Sequence, residues 1–413
     1  MKRRVVVTGI GCVTPVGNDV ATTWDSLLAG RSGGAPITQF DTTAFKVKFA
    51  CEVKNFDPQQ YMDRKEVKRT DRYSQLAMAA AVQAMADAFP DGTGYSQETT
   101  GVVIGSGIGG ISTFEEQLDV YKRLGPSKIS AFFVPMFIGD IASGVVSMRF
   151  HAKGPNYAVQ SACATSGHAI GDSFRMIQYG DADVMICGGS EASVSPMAMG
   201  GFTNMQALSE RNDSPATASR PFDATRDGFV LGEGSGILIL EELEHAKRRG
   251  AKIYAEIAGY GATGDAYHLT GQPDAHEGLQ RAMKKAMADA KMGPAYVQYI
   301  NAHGTSTPLN DPNEIRAIKA VFGAHATALN VSSTKSATGH MLGAAGAVES
   351  IFTSLAITHG KIPPTINLQT ADPECNLDCT ANVPATRQVT GALSNSSGFG
   401  GHNVCIAIRR YQE

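Results

Sequence analysis

Apolar residues along this chain fall into short unbroken runs, punctuated by glycine and separated by longer stretches of helical period. The runs at 5–7, 101–104, 183–187 and 237–240 lack the in-out alternation of a half-exposed strand, so each predicts a strand buried on both faces. Between them, the alanine-rich segment 74–89 predicts a closely packed helix. Segment 167–179 predicts another, with Ile170, Phe174 and Ile177 on one face, and a strand-like run at 156–160 leads towards it. The charged segment 241–249 reads as a helix capped by Gly250. The order then begins again: strand 253–258, helix from about 277 to 291, strand 297–301, helix 311–322, strand 330–333, helix 342–358, and strands at 388–395 and 404–409. Asp311, Pro312 and Glu314 read as N-cap, first helical residue and capping-box partner. This alternation predicts an α/β protein with largely parallel sheets covered by helices. Two similar halves, 1–250 and 251–413, imply internal duplication with the site between them.

Composition narrows the class. At 413 residues and 43% hydrophobic, the chain can bury a sizeable core. A net charge of −3 provides no overall basic field for nucleic acid. The seven cysteines are scattered without zinc-site spacing, so reduced thiols are expected. Lys2, Arg3 and Arg4 precede only three valines, too short a core for a signal peptide, and no run approaches the roughly 20 apolar residues of a membrane helix. A cytoplasmic protein is expected.

Three stretches before Gly250 invite chemistry. Cys163, in Ser-Ala-Cys-Ala-Thr-Ser-Gly, stands where a strand gives way to a helix, among small residues. A helix's free N–H groups favour a thiolate there, below the ordinary thiol pKa of ~8.5. The competing reading is a buried structural cysteine. Gly105-Ser106-Gly107-Ile108-Gly109-Gly110 follows a strand and fits the string that admits a pyrophosphate, or simply a tight turn. Arg64, Lys65, Lys68, Arg69 and Arg72 make either a solvated face or a seat for an anionic partner.

The second half supplies two histidines on glycine-bounded loops. His303 follows a strand, where open α/β sheets place their sites, and His340 closes Lys335-Ser-Ala-Thr-Gly-His. Each alone reads as a satisfied structural residue or a catalyst; together with Cys163 they favour catalysis. Glu349, inside an apolar helix, needs a buried partner, and Lys335 is the candidate.

These motifs form one ordered set with Gly398-Phe399-Gly400-Gly401-His402-Asn403, and the chain resembles the elongating β-ketoacyl-acyl-carrier-protein synthases nearly end to end. The resemblance implies a thiolase-like fold of two βαβαβαββ halves in a layered αβαβα core, one ketosynthase domain spanning about 3–411, and a homodimer. It implies that Cys163 carries the acyl chain and that the N–H groups of Cys163 and Phe399 form an oxyanion hole. His303 and His340 would stabilise the enolate from malonyl-acyl carrier protein, with Lys335 and Glu349 orienting His340. Thr305 and Thr307 would hold the phosphopantetheine arm, and Ile108, Phe133, Phe202 and Thr270 would complete the substrate site. Lys65, Lys68, Arg69 and Lys128 would receive the carrier protein, although Ser127 and Gln206 stand where such synthases usually have arginine. No metal or separate cofactor is expected, the substrates riding on phosphopantetheine. The implied reaction is decarboxylative condensation in fatty acid elongation, with polyketide or aryl polyene assembly as the alternative.

Thiolases share the nucleophile but need a Cys-x-Gly near the end, whereas Cys405 lies in a strand pattern. A cysteine hydrolase leaves the 335–340 motif unexplained, and a non-catalytic chain-length factor lacks the cysteine. One departure stands out. The resembled loop reads Phe-Gly-Phe-Gly-Gly, and here its first residue is Ser397. Either the gate loop packs less firmly, or a neighbour fills the space.

Overall fold

The computed structural model describes residues 2–413. Ten strands form one hydrogen-bonded sheet: β1 (Val5–Val13), β2 (Thr100–Gly105), β3 (Asn156–Tyr157), β4 (Val184–Glu191), β5 (Gly234–Glu242), β6 (Ala255–Gly264), β7 (Tyr299–Asn301), β8 (Asn330–Ser332), β9 (Gly391–Gly398) and β10 (His402–Arg409). Their spatial order is β8-β7-β9-β10-β6-β1-β5-β4-β2-β3. Counted from the middle outwards, each half runs first, fifth, fourth, second, third. The pairings agree as well: first with fifth and fifth with fourth antiparallel, the remaining two parallel. The halves join through an antiparallel contact of β1 with β6, Val5 opposite Ile257 and Val7 opposite Ala255. The strand expected at 156–160 is only two residues long, because residues 158–160 peel away towards Cys163.

The unbroken apolar runs have the predicted cause. In β4, Val184 and Ile186 enter an outer core while Met185 and Cys187 enter the central one. The outer core of the first half is closed by α1 (Arg72–Ala88), that of the second by α3 (Glu277–Ala290). Between the half-sheets lie α2 (Thr165–Tyr179) and α5 (Ala345–His359), giving five layers, α-β-α-β-α. The remaining long helix of the second half is α4 (Asn310–Phe322).

The halves also solve one packing problem twice. A Cβ on Gly9 or Gly11 of β1 would fall 2.3 or 2.1 Å from the Ala84 or Ala80 carbonyl of α1; one on Gly259 or Gly261 of β6 would fall 2.2 or 2.0 Å from the Ala286 or Ala282 carbonyl of α3. Glycine on the strand and alanine on the helix let each pair touch backbone to backbone. The central helices match too. Each has fifteen residues and follows a 3-10 turn, Ala162–Ala164 or Leu342–Ala344, whose first residue has a left-handed φ of 50° or 42°.

Adding a methyl group at these contacts overpacks them, which typically costs about 1–3 kcal/mol. Gly261→Ala should therefore lower the thermal midpoint by several degrees, whereas Gly200→Ala, with open space around its Cβ, should leave it nearly unchanged in differential scanning calorimetry.

Candidate active site

The turn that presents Cys163 is tied by Thr165, whose hydroxyl donates to the Ala162 carbonyl (2.7 Å) and accepts from the Ser161 N–H (2.8 Å). The small residues around Cys163 do not leave it open: it is only 7% exposed, in an apolar cluster with Leu342, Phe229 and the half-buried Phe202 and Ile108. The expected acidification is reversed. Burial pushes the thiol up to about 12, a cost that the positive charge of Lys335 reduces without cancelling. The backbone N–H groups of Cys163 itself and of Phe399 lie near enough to favour the thiolate slightly. Gly398 keeps that place open, since a Cβ there would stand 3.1 Å from the Cys163 nitrogen.

His303 sits just beyond β7, and its loop is held by a carboxylate. Glu314 of α4 accepts from the N–H groups of His303 (2.9 Å) and Gly304 (2.8 Å). The capping box read from the sequence is therefore wrong. The helix starts at Asn310, and Asp311 turns away to accept from Phe222 (2.9 Å) and Ser306 (3.2 Å). Both carboxylates accept from the loop that carries His303, Thr305 and Thr307, Asp311 tying it also to Phe222 and Glu314 to Asn395, and only the fold shows this. His340 is fixed through its backbone, donating to Val230 O at 2.7 Å. The two imidazoles lie 5.4 Å apart, nearly perpendicular. Burial first and the Lys335 charge second hold both well below the ordinary histidine range, so both are neutral at physiological pH.

Lys335 donates to Glu349 at 2.5 Å, both fully buried, as the apolar setting of Glu349 required. Burial raises the Glu349 carboxyl to about 7 against the opposing pull of Lys335. Neither reaches His340 by a hydrogen bond, and among the described residues Nδ1 of both histidines has no partner. The pair acts on the imidazoles as a nearby field.

A cavity of about 310 Å³ unites these groups, lined by Cys163, His303, His340 and Phe399 and, towards its mouth, by Thr305 and Thr307. Phe202 and Thr270 also line it. Among the described residues its wall does not include Ile108 or Phe133. Ile108 lies behind, in the Cys163 cluster, and Phe133 stacks 5.8 Å from Phe137 on a separate half-buried helix. The glycine string 105–110 is no pyrophosphate cradle. Its N–H groups at Gly107 (2.8 Å) and Ile108 (3.2 Å) are taken by the buried carboxylate of Glu191, which also accepts from Ser106 Oγ (2.9 Å) and Gly343 N (2.9 Å). Lys65, Lys68, Arg69 and Lys128 are exposed, and Arg69 lies 4.6 Å over the Phe132 ring. Arg72 instead turns inward, pairing with buried Glu233 at 2.7 Å.

A cysteine near two backbone N–H groups, facing two neutral imidazoles, defines a condensing enzyme of the thiolase-like fold. The chain belongs to the beta-ketoacyl synthase family: its N-terminal domain pattern matches residues 2–246 and its C-terminal domain pattern residues 254–369. The chain is 51% identical over 411 residues to the 3-oxoacyl-[acyl-carrier-protein] synthase 2 of Synechocystis, covering 100% of this chain and 99% of that one. It is 51% identical over 410 residues to the protein of the same name from Staphylococcus aureus, covering 99% of each. Among solved structures, a type II PKS ketosynthase in complex with its acyl-carrier protein and bound to the hexaketide superposes with a TM-score of 0.92 at 38% identity, covering 100% of both chains. The ishigamide ketosynthase/chain length factor superposes at 0.94 with 35% identity, again covering 100% of both.

The raised thiol has a measurable signature. Below its pKa the thiolate fraction grows about tenfold per pH unit. Iodoacetamide labelling of Cys163, followed by peptide mass spectrometry, should keep accelerating through pH 9 and 10; a thiol acidified by its helix would level off near neutrality.

Proposed function

We propose that this chain condenses an acyl group held on Cys163 with malonyl-acyl carrier protein, giving 3-oxoacyl-acyl carrier protein, CO2 and free carrier protein in fatty acid elongation. The supporting observation is the single cavity in which the Cys163 sulfur, the N–H groups of Cys163 and Phe399, and the neutral pair His303 and His340 converge.

The thiol of Cys163 attacks the acyl thioester, its proton leaving with the pantetheine thiol. The oxyanion of the tetrahedral intermediate is met by the two N–H groups. Malonyl-acyl carrier protein then enters, and its thioester oxygen receives hydrogen bonds from His303 and His340. Loss of CO2 leaves an enolate on that oxygen. A neutral imidazole can donate a proton to it in a hydrogen bond, and burial first, with the Lys335 charge second, keeps both rings neutral. The enolate carbon attacks the Cys163 thioester, the carbon–carbon bond forms, and the sulfur departs as a thiolate that takes up a proton from solvent to restore the resting thiol. Thr305 and Thr307, whose hydroxyls lie 2.9 Å apart at the cavity mouth, serve the pantetheine arm, so the substrates bring their own prosthetic group.

The carrier protein docks at Lys65, Lys68, Arg69 and Lys128. A homodimer forms along β3, an edge strand whose Tyr157 is 37% exposed and whose surroundings expose Val134 and Met148. That partner would bring its own Phe133 and neighbouring side chains to the interface. Among the described residues no helix is long and apolar enough to cross a membrane. A polyketide role is the second reading, supported by the likeness to the type II PKS ketosynthase. Mass spectrometry of products from malonyl-acyl carrier protein and a ladder of primers separates the two: one condensation per cycle for elongation, an unreduced polyketone for the other.

Cys163→Ala should retain the fold and lose acyl-enzyme formation in intact-mass measurements; continued acylation at another residue would remove Cys163 from its role. His303→Ala and His340→Ala should each slow malonyl decarboxylation by roughly 100- to 1,000-fold while acyl transfer to Cys163 persists.

Rim charges act mainly on encounter, and salt screens them. Lys65→Glu and Arg69→Glu should therefore raise KM for the carrier protein at low ionic strength, with the difference shrinking as salt is added.

A further inference from the structure

Ser397 does not leave the gate loop loose. It is 5% exposed, and its hydroxyl lies 2.9 Å from Asn403 Oδ1. The same oxygen lies 2.9 Å from His276 Nε2, while Asn403 Nδ2 donates to Asp265 Oδ1 at 2.6 Å. The carboxylate fixes which end of the Asn403 amide is which. Oδ1 must therefore accept both from the Ser397 hydroxyl and from His276 Nε2–H. His276 and Asn403 are fully buried, and His276, Asp265 and Ser397 all line the cavity with Cys163 and Phe399.

His276 is also held in a conformation that side chains avoid. Its φ is 47°, directly after Ala275 at 50°. Its Nδ1 is buried without a partner among the described residues. A residue that accepts backbone strain and an unpaired nitrogen is kept for what its other nitrogen holds, and that is Asn403. Asn403 in turn reaches back to the Gly401 carbonyl (3.4 Å), and the Asp265 N–H donates to the same carbonyl (2.9 Å). The loop 398–401 is thereby fastened from below, and with it the Phe399 N–H near the Cys163 sulfur.

We propose that His276 and Ser397, acting through Asn403, form a hydrogen-bonded latch that positions the gate loop in place of an aromatic support and sets which acyl primers reach Cys163. His276 is a positioning residue in this scheme. The two side chains meet at Asn403 Oδ1, 2.9 Å from each, so a phenyl ring at 397 would press on the oxygen that the imidazole holds. The inference rests on the condensing activity proposed above.

The test is a double-mutant cycle of His276→Gly, which suits the left-handed backbone, and Ser397→Phe, with kcat and KM measured separately for straight-chain, branched and aryl primers. Ser397→Phe alone should lower kcat/KM, and adding His276→Gly should restore it, a coupling of roughly 5- to 50-fold. His276→Gly alone should narrow the ratio between straight-chain and branched primers while KM for malonyl-acyl carrier protein stays constant. His276→Gln, whose side-chain amide N–H reaches as far as Nε2, should recover the wild-type ratio. Thermal midpoints recorded in parallel separate a loosened gate from a destabilised protein. Additive effects, or an unchanged primer profile in folded variants, overturn the latch. Intact-mass acylation of the wild-type enzyme keeps the two proposals apart: its absence sinks the condensing activity, whereas a wild type that acylates beside additive variants sinks the latch alone.

Discussion

Helices α2 and α5 meet where a Cβ on Gly346 would come within 3.0 Å of the Gly167 nitrogen, and the Ala347 N–H donates to Ser166 Oγ at 2.9 Å. That contact leaves no room for a side chain at Gly346, while a Cβ on Gly167 would stand 2.9 Å from Val404 of β10. The contact brings the start of α2, and Cys163 with it, against the second half, which carries both histidines. A bulkier residue at either glycine would disturb the seat of α2, and with it the placement of Cys163 relative to His303 and His340. The catalytic geometry is thus fixed by backbone-to-backbone packing, which leaves little room for adjustment.

Dryness does much of the remaining work. Four groups at the base of the cavity are moved first by loss of water and only second by a neighbour: the thiol upward, the two imidazoles downward, Glu349 upward. A low-dielectric pocket penalises whatever charge is not matched. The resting site therefore holds a thiol and two neutral rings, with its one clear ion pair set behind them. Negative charge develops during turnover, at the carbonyl oxygens, where donors already point and need not reorganise.

Much of this was legible in the sequence. Continuous apolar runs betrayed strands covered on both sides, and the restart after Gly250 anticipated the repeated strand order. Cys163, His303 and His340 stand in short distinctive motifs, and the solitary carboxylate of Glu349 demanded the cation found beside it. What failed depended on distant contacts. Glu314 has the spacing of a capping box, but its acceptors go to a loop eleven residues earlier, a choice that local pattern cannot see. Cys163 has small neighbours in sequence, yet Leu342 and Phe229 arrive from far along the chain to bury it. The lowered pKa expected from its helix start fell with that burial. His276 drew no notice, because nothing in its own segment announces Asn403.

The duplicated architecture raises the question of why one chain has only one such centre. Superposing the halves by strand order and central helices sets Gly343 where Cys163 stands and Glu191 where Gly398 stands. In the first centre a bare glycine leaves the nucleophile's N–H free for an incoming oxyanion. In the other, the Glu191 carboxylate already sits on the Gly343 N–H at 2.9 Å, as a resident anion. The second half thus spends the matching N–H on a carboxylate of the first half. The two halves thus differ at two matched positions, a thiol against a glycine on the turn and a glycine against a carboxylate on the fourth strand of each repeat.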